Sequence, residues 1–240
     1  MGAGWTVTSN DWAASALKWW QDAGVDTIVG EEPHDWLNPK PTVAAPGPVG
    51  EAVAAPPVEV MPDTLAAFQD WLLTAASLPF AAPLASRVAP VGDPASGLMV
   101  MVDMPSVEGG FISGEAGTVF DGMMRAIGRS RETLYLASLS PVRTVTGRLD
   151  AAAASALAEI ARHHVGLVGP RHLLLFGDTC SKALIGTAVA GARGKWQELE
   201  TAADKIRTLV TIRPEKLVIQ PGLKKLAWAD LQRLKEELEA

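Results

Sequence analysis

The sequence predicts an α/β protein: a three-layer α/β/α sandwich around a central, mainly parallel four-stranded sheet, with a short helical extension at the N-terminus. Two observations predict this class. From residue 98 onward, short apolar runs without polar alternation, which are typical of strands buried on both faces, alternate with segments of helical periodicity. The 240 residues are 48% hydrophobic, which is enough for a buried core.

The strand and helix signals follow one another in a regular order along the chain. The predicted strands are the apolar runs GLMVMVDMP, TLYLASLSP, HLLLFG and TLVTIRP, which begin at Gly97, Thr133, His172 and Thr208. Helical periodicity predicts helices over residues 64–76, 114–128, 149–168, 178–186 and 223–240. Asp63 is placed to cap the first of these helices.

Composition divides the chain into three parts. Residues 1–40 contain a Trp-rich amphipathic helix, in which Trp12, Ala16, Trp19 and Trp20 recur at helical spacing. Its aromatic face either docks on the protein itself or binds a protein partner. Residues 41–62 contain six Pro and five Ala and no Lys or Arg, which predicts a semi-extended linker. The main domain is predicted over residues 63–240.

Charge and cysteine content restrict the function classes. Residues 1–100 carry three basic and eleven acidic side chains, so a polyanionic partner is expected to bind the C-terminal part, where the balance is +2. The single cysteine, Cys180, excludes an internal disulfide framework and a cluster held by several thiolates. The chain shows neither a secretory signal nor an apolar run long enough to span a bilayer, which predicts a cytoplasmic protein. We also expect a monomer.

Polar residues follow the predicted strands, where the sites of parallel sheets lie. These places are Asp103–Pro105, Ser138–Arg143, Gly177–Thr179 and Arg213–Pro214. Asp103 is either a cap for the following loop or a general base. Arg213 either pairs with an acidic neighbour, Glu215 or Asp103, or stabilises a developing anion. Phe111, in a Gly-rich loop, either fills the core or presents a face for stacking.

Taken in order, these segments resemble the uracil-DNA glycosylase superfamily, and most closely its family-4 branch. The matching segments are VDMPS, FISGEAG, ASLSPVR, GPRHLLLFG, ARGKW, TIRPE and GLKKLAWADLQRL, which span residues 102–234. The resemblance implies a DNA glycosylase that flips a base into a pocket at the strand ends and hydrolyses its N-glycosidic bond. The expected substrate is uracil or another deaminated base in DNA, and the expected location is the bacterial nucleoid.

The resemblance assigns roles to residues, and this chain departs from the family at several of them. Asp103 stands for the catalytic Glu, Arg213 for the His, and Ser138 for the Asn that reads uracil. Phe111 is retained at the base-stacking position, and Met104 adjoins the base. The family's cluster-binding cysteines are absent from the matching stretches, so no iron–sulfur cluster, metal or other cofactor is expected. These departures leave open a degenerate member that binds DNA or a protein without cleavage.

The expected DNA contacts lie in segments that resemble the family's DNA-facing loops. The lysine and arginine side chains of these segments are predicted to contact phosphates. The apolar residues after Arg213 are predicted to insert between bases of the duplex as a wedge. The predicted DNA-binding residues are Lys182, Arg193, Lys195, Lys216, Leu217 and Lys224, with Lys225 and Val218 beside them. Solvated helix surface is the alternative explanation for the lysines. An adaptor that recruits a partner through the N-terminal helix is a third hypothesis.

Overall fold

The computed structural model describes residues 18–19, 61–76, 78–79 and 86–239. The chain divides into two units, Met1–Ala55 and Pro56–Ala240, and the fold below is that of the second unit. The predicted aromatic face of the N-terminal helix and most of the predicted linker lie outside the described residues. Within that helix, only Lys18 and Trp19 are described; both are helical and exposed.

Six strands form one mixed sheet in the described part of the chain. The strand order across the sheet is β1-β3-β2-β4-β6-β5. The strands are β1 (Val91–Gly92), β2 (Leu98–Val102), β3 (Tyr135–Ser138), β4 (His172–Phe176), β5 (Trp196–Glu200) and β6 (Lys205–Thr211).

The four inner strands, β3, β2, β4 and β6, run parallel, and they are the four strands that the apolar runs predict. The expected strand number was nevertheless wrong, because β1 and β5 add antiparallel edges. The β1 strand has only two residues, and β5, with the sequence WQELE, buries only Leu199. Neither edge strand carries an apolar run, so neither is visible to a search for buried strands.

Helices cover both faces of the sheet, which confirms the α/β class. The described α-helices of this unit are α1 (Leu65–Thr74), α2 (Gly114–Ala126), α3 (Ala151–Val168), α4 (Asp178–Ile185), α5 (Val189–Ala192), α6 (Pro214–Ile219) and α7 (Lys224–Leu238). The α1 helix begins after Thr64, whose side chain makes no capping bond, so the expected cap at Asp63 was wrong. In contrast, the Asp150 carboxylate caps α3 by accepting the Ala153 N–H at 2.8 Å.

The core lies on both sides of the inner strands, because successive side chains of a strand point to opposite faces. Met99 and Met101 of β2 pack with α3 and α4 on one face. Leu98 and Val100 pack with α2 and α7 on the other face. Beyond α3, the α1 helix adds a smaller cluster around Phe68. The helices therefore hold the inner strands rigidly, and the loops at the carboxyl ends of these strands are free to form a site.

Candidate functional site

A cavity of about 550 Å³ opens at the carboxyl edge of the sheet. The loops that follow all four inner strands contribute to its lining, so the rule for parallel sheets holds here. Two predicted catalytic residues, Asp103 and Arg213, meet in it, as do residues from the predicted site at Gly177–Thr179. The remaining lining residues are Met104, Gly147, Arg148, Leu149, Val189, Ile212, Lys216, Ile219 and Gln220.

Asp103 is the buried carboxylate of this cavity, with only 7% of the residue exposed. Its Oδ1 accepts the backbone N–H of Cys180 at 2.7 Å, in the first turn of α4. The helix needs this bond because Gly177, at its cap position, has no side chain to supply one. Asp103 therefore has a capping role, but the element that it caps is the helix α4 and not the following loop that the sequence suggested.

Gly177 fits this arrangement for two reasons. Its φ of 106° lies in the left-handed region that favours glycine. A Cβ atom at this position would also lie only 2.4 Å from Oδ2 of Asp103. The absence of a side chain at Gly177 thus makes room for the carboxylate that caps α4.

The guanidinium of Arg213 lies at the mouth of the same cavity, with half of its side chain exposed. Its Nη1 is 4.0 Å from Oδ2 of Asp103. Burial raises the pKa of the Asp103 carboxyl above its ordinary value, while the Cys180 N–H and the charge of Arg213 oppose this rise. The pairing of Arg213 with Asp103 that the sequence allowed is present, at the limit of ion-pair distance.

Positive charge predominates around the cavity. Arg148, Arg213 and Lys216 are exposed cations in its lining, against the carboxylates of Asp103 and Asp178. Asp178 is committed to structure, since its Oδ1 accepts the Val189 N–H at 2.9 Å and so joins α4 to α5. The lining thus holds three exposed cations against two carboxylates, one of which is buried.

The predicted base-binding residues separate into two groups. Met104 lines the cavity, but Phe111 and Ser138 are buried outside its lining. Phe111 packs in the core beneath α2, with no ring face open to a ligand. The Ser138 hydroxyl donates to the Ser140 carbonyl at 2.6 Å. In this structure neither side chain presents a group to a molecule in the cavity, so both assignments are corrected to structural roles.

The predicted DNA-binding cations do not share one face. Lys216 lines the cavity, and Lys182 lines a neighbouring cavity of about 520 Å³ that shares Leu149, Asp178 and Thr179 with the first. Lys195 is exposed just before β5. Lys224 instead lines an apolar groove between α2 and α7.

Two of the predicted DNA-binding side chains have structural contacts in the fold: Arg193, whose phosphate contact stays a prediction, and Leu217, whose wedge role is wrong. Arg193 is held by the buried carboxylate of Asp230, through bonds of 3.2 and 3.1 Å from Nε and Nη2, so it joins the end of α5 to α7. Leu217 is only 1% exposed, because the expected loop after Arg213 forms α6 and turns this residue into the core. The exposed aliphatic side chain of that segment is Ile219, at 77%.

Sequence reasoning missed Arg148, Ile219 and Gln220 as cavity residues. Arg148 lies ten residues after the end of β3, whereas the rule for parallel sheets points to the residues that directly follow each strand. If the PEKLVIQ segment is assumed to be a helix, its hydrophobic periodicity predicts that Leu217 is buried and Ile219 is exposed. This signal could have identified Ile219. Arg143, the predicted strand-end residue of this loop, instead donates to the Pro105 carbonyl at 3.1 Å and joins two of the cavity loops.

No group of three His, Cys, Asp or Glu side chains within the described ranges is placed to hold a metal ion. None of the helices in the described part of the chain is long and apolar enough to cross a membrane. Comparison of the chain with protein-family models and with curated proteins finds no match.

Proposed function

We propose that this protein is a DNA glycosylase that accepts an extruded nucleotide in the cavity at the carboxyl edge and hydrolyses the N-glycosidic bond of a deaminated base. One observation carries the proposal: Asp103 and Arg213, the residues that the resemblance to uracil-DNA glycosylases makes catalytic, lie 4.0 Å apart in one cation-lined cavity. The four parallel inner strands support the uracil-DNA glycosylase-like sheet that the same resemblance implies.

The two charges suit the two ends of the breaking bond. As the bond between the base nitrogen and the sugar C1′ breaks, positive charge develops on the sugar and negative charge on the base. The Asp103 carboxylate stabilises the sugar cation or orients the water that attacks C1′. The permanent charge of Arg213 stabilises the departing base anion, which then takes its proton from water. A well-placed donor of this kind lowers the barrier by about 3–4 kcal/mol.

The rim of the cavity supports an approach by DNA. Arg148 and Lys216 are exposed there and suit phosphates. Val107 and Val145 are largely exposed on the loops that follow β2 and β3, and Ile219 is largely exposed at the end of α6. Exposed aliphatic side chains beside cations are the means by which proteins unstack and extrude a base. Ile219, which also lines the cavity, takes the wedge role that Leu217 does not fill.

A second candidate function is DNA binding without cleavage. It is favoured by the commitment of Asp103 to the cap of α4 and by the absence of Phe111 and Ser138 from the cavity lining. Among the described residues, the cavity lining therefore has no aromatic ring to stack on a base, and it lacks the Ser138 hydroxyl that was assigned to the base edge. In this case the cations hold the strand, and the cavity shelters a nucleotide without reacting with it.

The experiment that separates the two functions uses labelled oligonucleotides with one uracil, hypoxanthine or xanthine, both single-stranded and in mismatched duplex. Alkali-dependent strand scission by the intact protein that is lost in Asp103→Asn supports the glycosylase, because Asn keeps the capping oxygen and removes only the charge. The matched control is Lys205→Gln, since Lys205 lies at the opposite end of β6 and pairs with Glu198 and Glu200. Binding without scission on every substrate would establish the second function and overturn the first.

A further inference from the structure

An apolar groove of about 340 Å³ runs between α2 and α7, and α6, which also lines the cavity, closes one part of it. Residues three and four apart on each helix form its walls, so each helix presents one continuous stripe to it. The lining residues are Thr118, Val119, Gly122, Met123 and Ala126 of α2, Leu217 of α6, and Lys224, Ala227, Trp228 and Leu231 of α7.

Trp228 is the largest side chain that lines this groove. Of this side chain, 41% is exposed to water, although it stands beside the half-buried Met123 and the buried Leu231. Gly122 leaves the opposite wall open, because a Cβ atom there would meet nothing within 4 Å. A large exposed aromatic facing a small residue across an apolar depression is typical of a surface that receives a side chain from a partner.

The charges around the groove are mainly positive. Lys224 is the only charged side chain in its lining, and Lys225 is exposed beside it. Neither lysine has an ion pair among the described residues. On the α2 side, exposed Arg125 follows Gly122 by three residues, and Glu115 precedes Thr118 by three residues as the opposing acidic group.

Three other charged groups on these helices have ion-pair partners, whereas Arg233 and Glu236 of α7 are exposed without one in the described part of the chain and offset each other in charge. Lys235, one turn after Leu231, pairs with Glu239 at 3.6 Å. Asp121 pairs with Arg131 at 2.7 Å, and Asp230 is buried against Arg193. The excess charge that remains available at the groove is therefore positive and concentrated at the N-terminal end of α7.

We propose that this groove binds an acidic amphipathic segment of another protein, with an apolar side chain between Met123 and Trp228 and carboxylates on Lys224 and Lys225. Charge complementarity identifies the occupant: the groove offers apolar surface along its length and free cations at one end. A nucleic acid strand requires cations along its whole path. The role of Lys224 is thus binding of a protein partner rather than of phosphate, and this proposal does not depend on the glycosylase activity.

The test measures fluorescence anisotropy of the full chain with two labelled designed helical peptides of roughly 16 residues. Both peptides carry Leu and Phe at positions i, i+3, i+4 and i+7, and the remaining positions are mainly Glu in one and mainly Lys in the other. We expect the Glu peptide to bind about tenfold more tightly at low salt than the Lys peptide. Equal binding of the two peptides would overturn the proposal.

Two variants and a matched control locate the site. Trp228→Ser should weaken binding of the Glu peptide about tenfold, whereas Leu226→Ser, at an equally exposed position of α7 outside the groove lining, should leave it within about twofold. Lys224→Glu changes an exposed residue and should reverse the preference between the peptides even if the Trp228 variant proves unstable. Equal effects of the two Ser variants, or displacement of the peptide by a single-stranded oligonucleotide, would refute the protein-binding role.

Discussion

The backbone N–H of Cys180 donates to Oδ1 of Asp103 over 2.7 Å, so a residue from the loop after β2 caps the helix that follows β4. The two inner strands are neighbours in the sheet, which brings their carboxyl ends together. The capping bond fixes the carboxylate at the cavity while Oδ2 remains directed toward Arg213. Asp103 thus has a structural role, as the cap of α4, and a candidate catalytic role. Substitutions that keep the capping oxygen and remove the charge can distinguish the two roles.

Asp103→Asn should leave the protein as stable as the original, or more stable. Asn keeps an oxygen for the Cys180 N–H and removes a charge that burial disfavours. Burial raises the pKa of Asp103 above its unfolded value, so its contribution to stability is greatest below that unfolded value and is lost as pH rises through the folded pKa. At pH 7.5, thermal unfolding should therefore give an equal or higher Tm. A large decrease in Tm would show that the cap requires the charge.

Gly177→Ala should destabilise the protein more than Gly169→Ala. Both glycines have positive φ, 106° and 58°. A Cβ atom at Gly169 would meet nothing within 4 Å, whereas one at Gly177 would collide with the Asp103 carboxylate. Overpacking of this kind costs about 1–3 kcal/mol. The backbone strain is also greater at Gly177, whose φ of 106° and ψ of 163° lie in a region that is essentially restricted to glycine, than at Gly169 in the αL region. Urea unfolding of the two variants measures the difference, and equal losses would mean that Asp103 moves aside freely.

Arg193→Met should lower the free energy of unfolding by about 3–5 kcal/mol, because it removes the ion-pair partner of the buried Asp230 carboxylate and leaves only the hydrogen bond from the Thr211 hydroxyl. Lys205→Met is the matched control at an exposed ion pair, and no measurable change is expected there. Urea unfolding and oligonucleotide binding are measured on both variants. Unchanged stability with weakened DNA binding in Arg193→Met would support the phosphate-binding role that the sequence predicts.

The wedge residue can be identified by comparing two positions two residues apart on α6. Ile219→Ala should weaken binding to mismatched duplex, or slow base excision, about tenfold, with stability unchanged because Ile219 is largely exposed. Leu217→Ala should instead lower stability by about 2–5 kcal/mol, since Leu217 is buried in the core. Binding titrations and urea unfolding separate the two effects. A loss of stability in the Ile219→Ala variant would contradict the assignment of Ile219 as the exposed wedge residue.

The inner sheet could be predicted from the sequence because its strands are buried on both faces and therefore read as uninterrupted apolar runs. The same topology places Asp103 and Arg213 at one edge, so their meeting in one cavity was also predictable. The failures have physical causes. The β5 strand is a largely exposed edge with a polar pattern, and the orientation of Phe111 depends on packing against α2. Arg193 finds its partner 37 residues away along the chain, a pairing that no local pattern records.

A hydrogen-bond network joins Gln69 of α1 to Tyr135 and His164. The Tyr135 hydroxyl accepts from Gln69 at 2.8 Å and lies 2.9 Å from Nε2 of His164. Burial lowers the pKa of His164 to about 3, with a further contribution from the neighbouring His163, so the imidazole is neutral in its hydrogen bond with the tyrosine. Burial also raises the pKa of Tyr135 to about 12, which keeps its proton in place.

The sign of the pH dependence follows from the depressed pKa of His164. The unfolded chain binds a proton at this residue below about pH 6.5, and the folded protein does not until about pH 3. Stability should therefore be complete above pH 6.5 and fall by about 1.4 kcal/mol for each pH unit below it from this residue alone. His164→Gln should remove this contribution to the slope between pH 6.5 and pH 5, and the difference between the two proteins cancels the contributions of His172 and of the buried carboxylates. Urea unfolding at a series of pH values measures it, and parallel curves for the two proteins would show that His164 is already accessible to protons in the folded state.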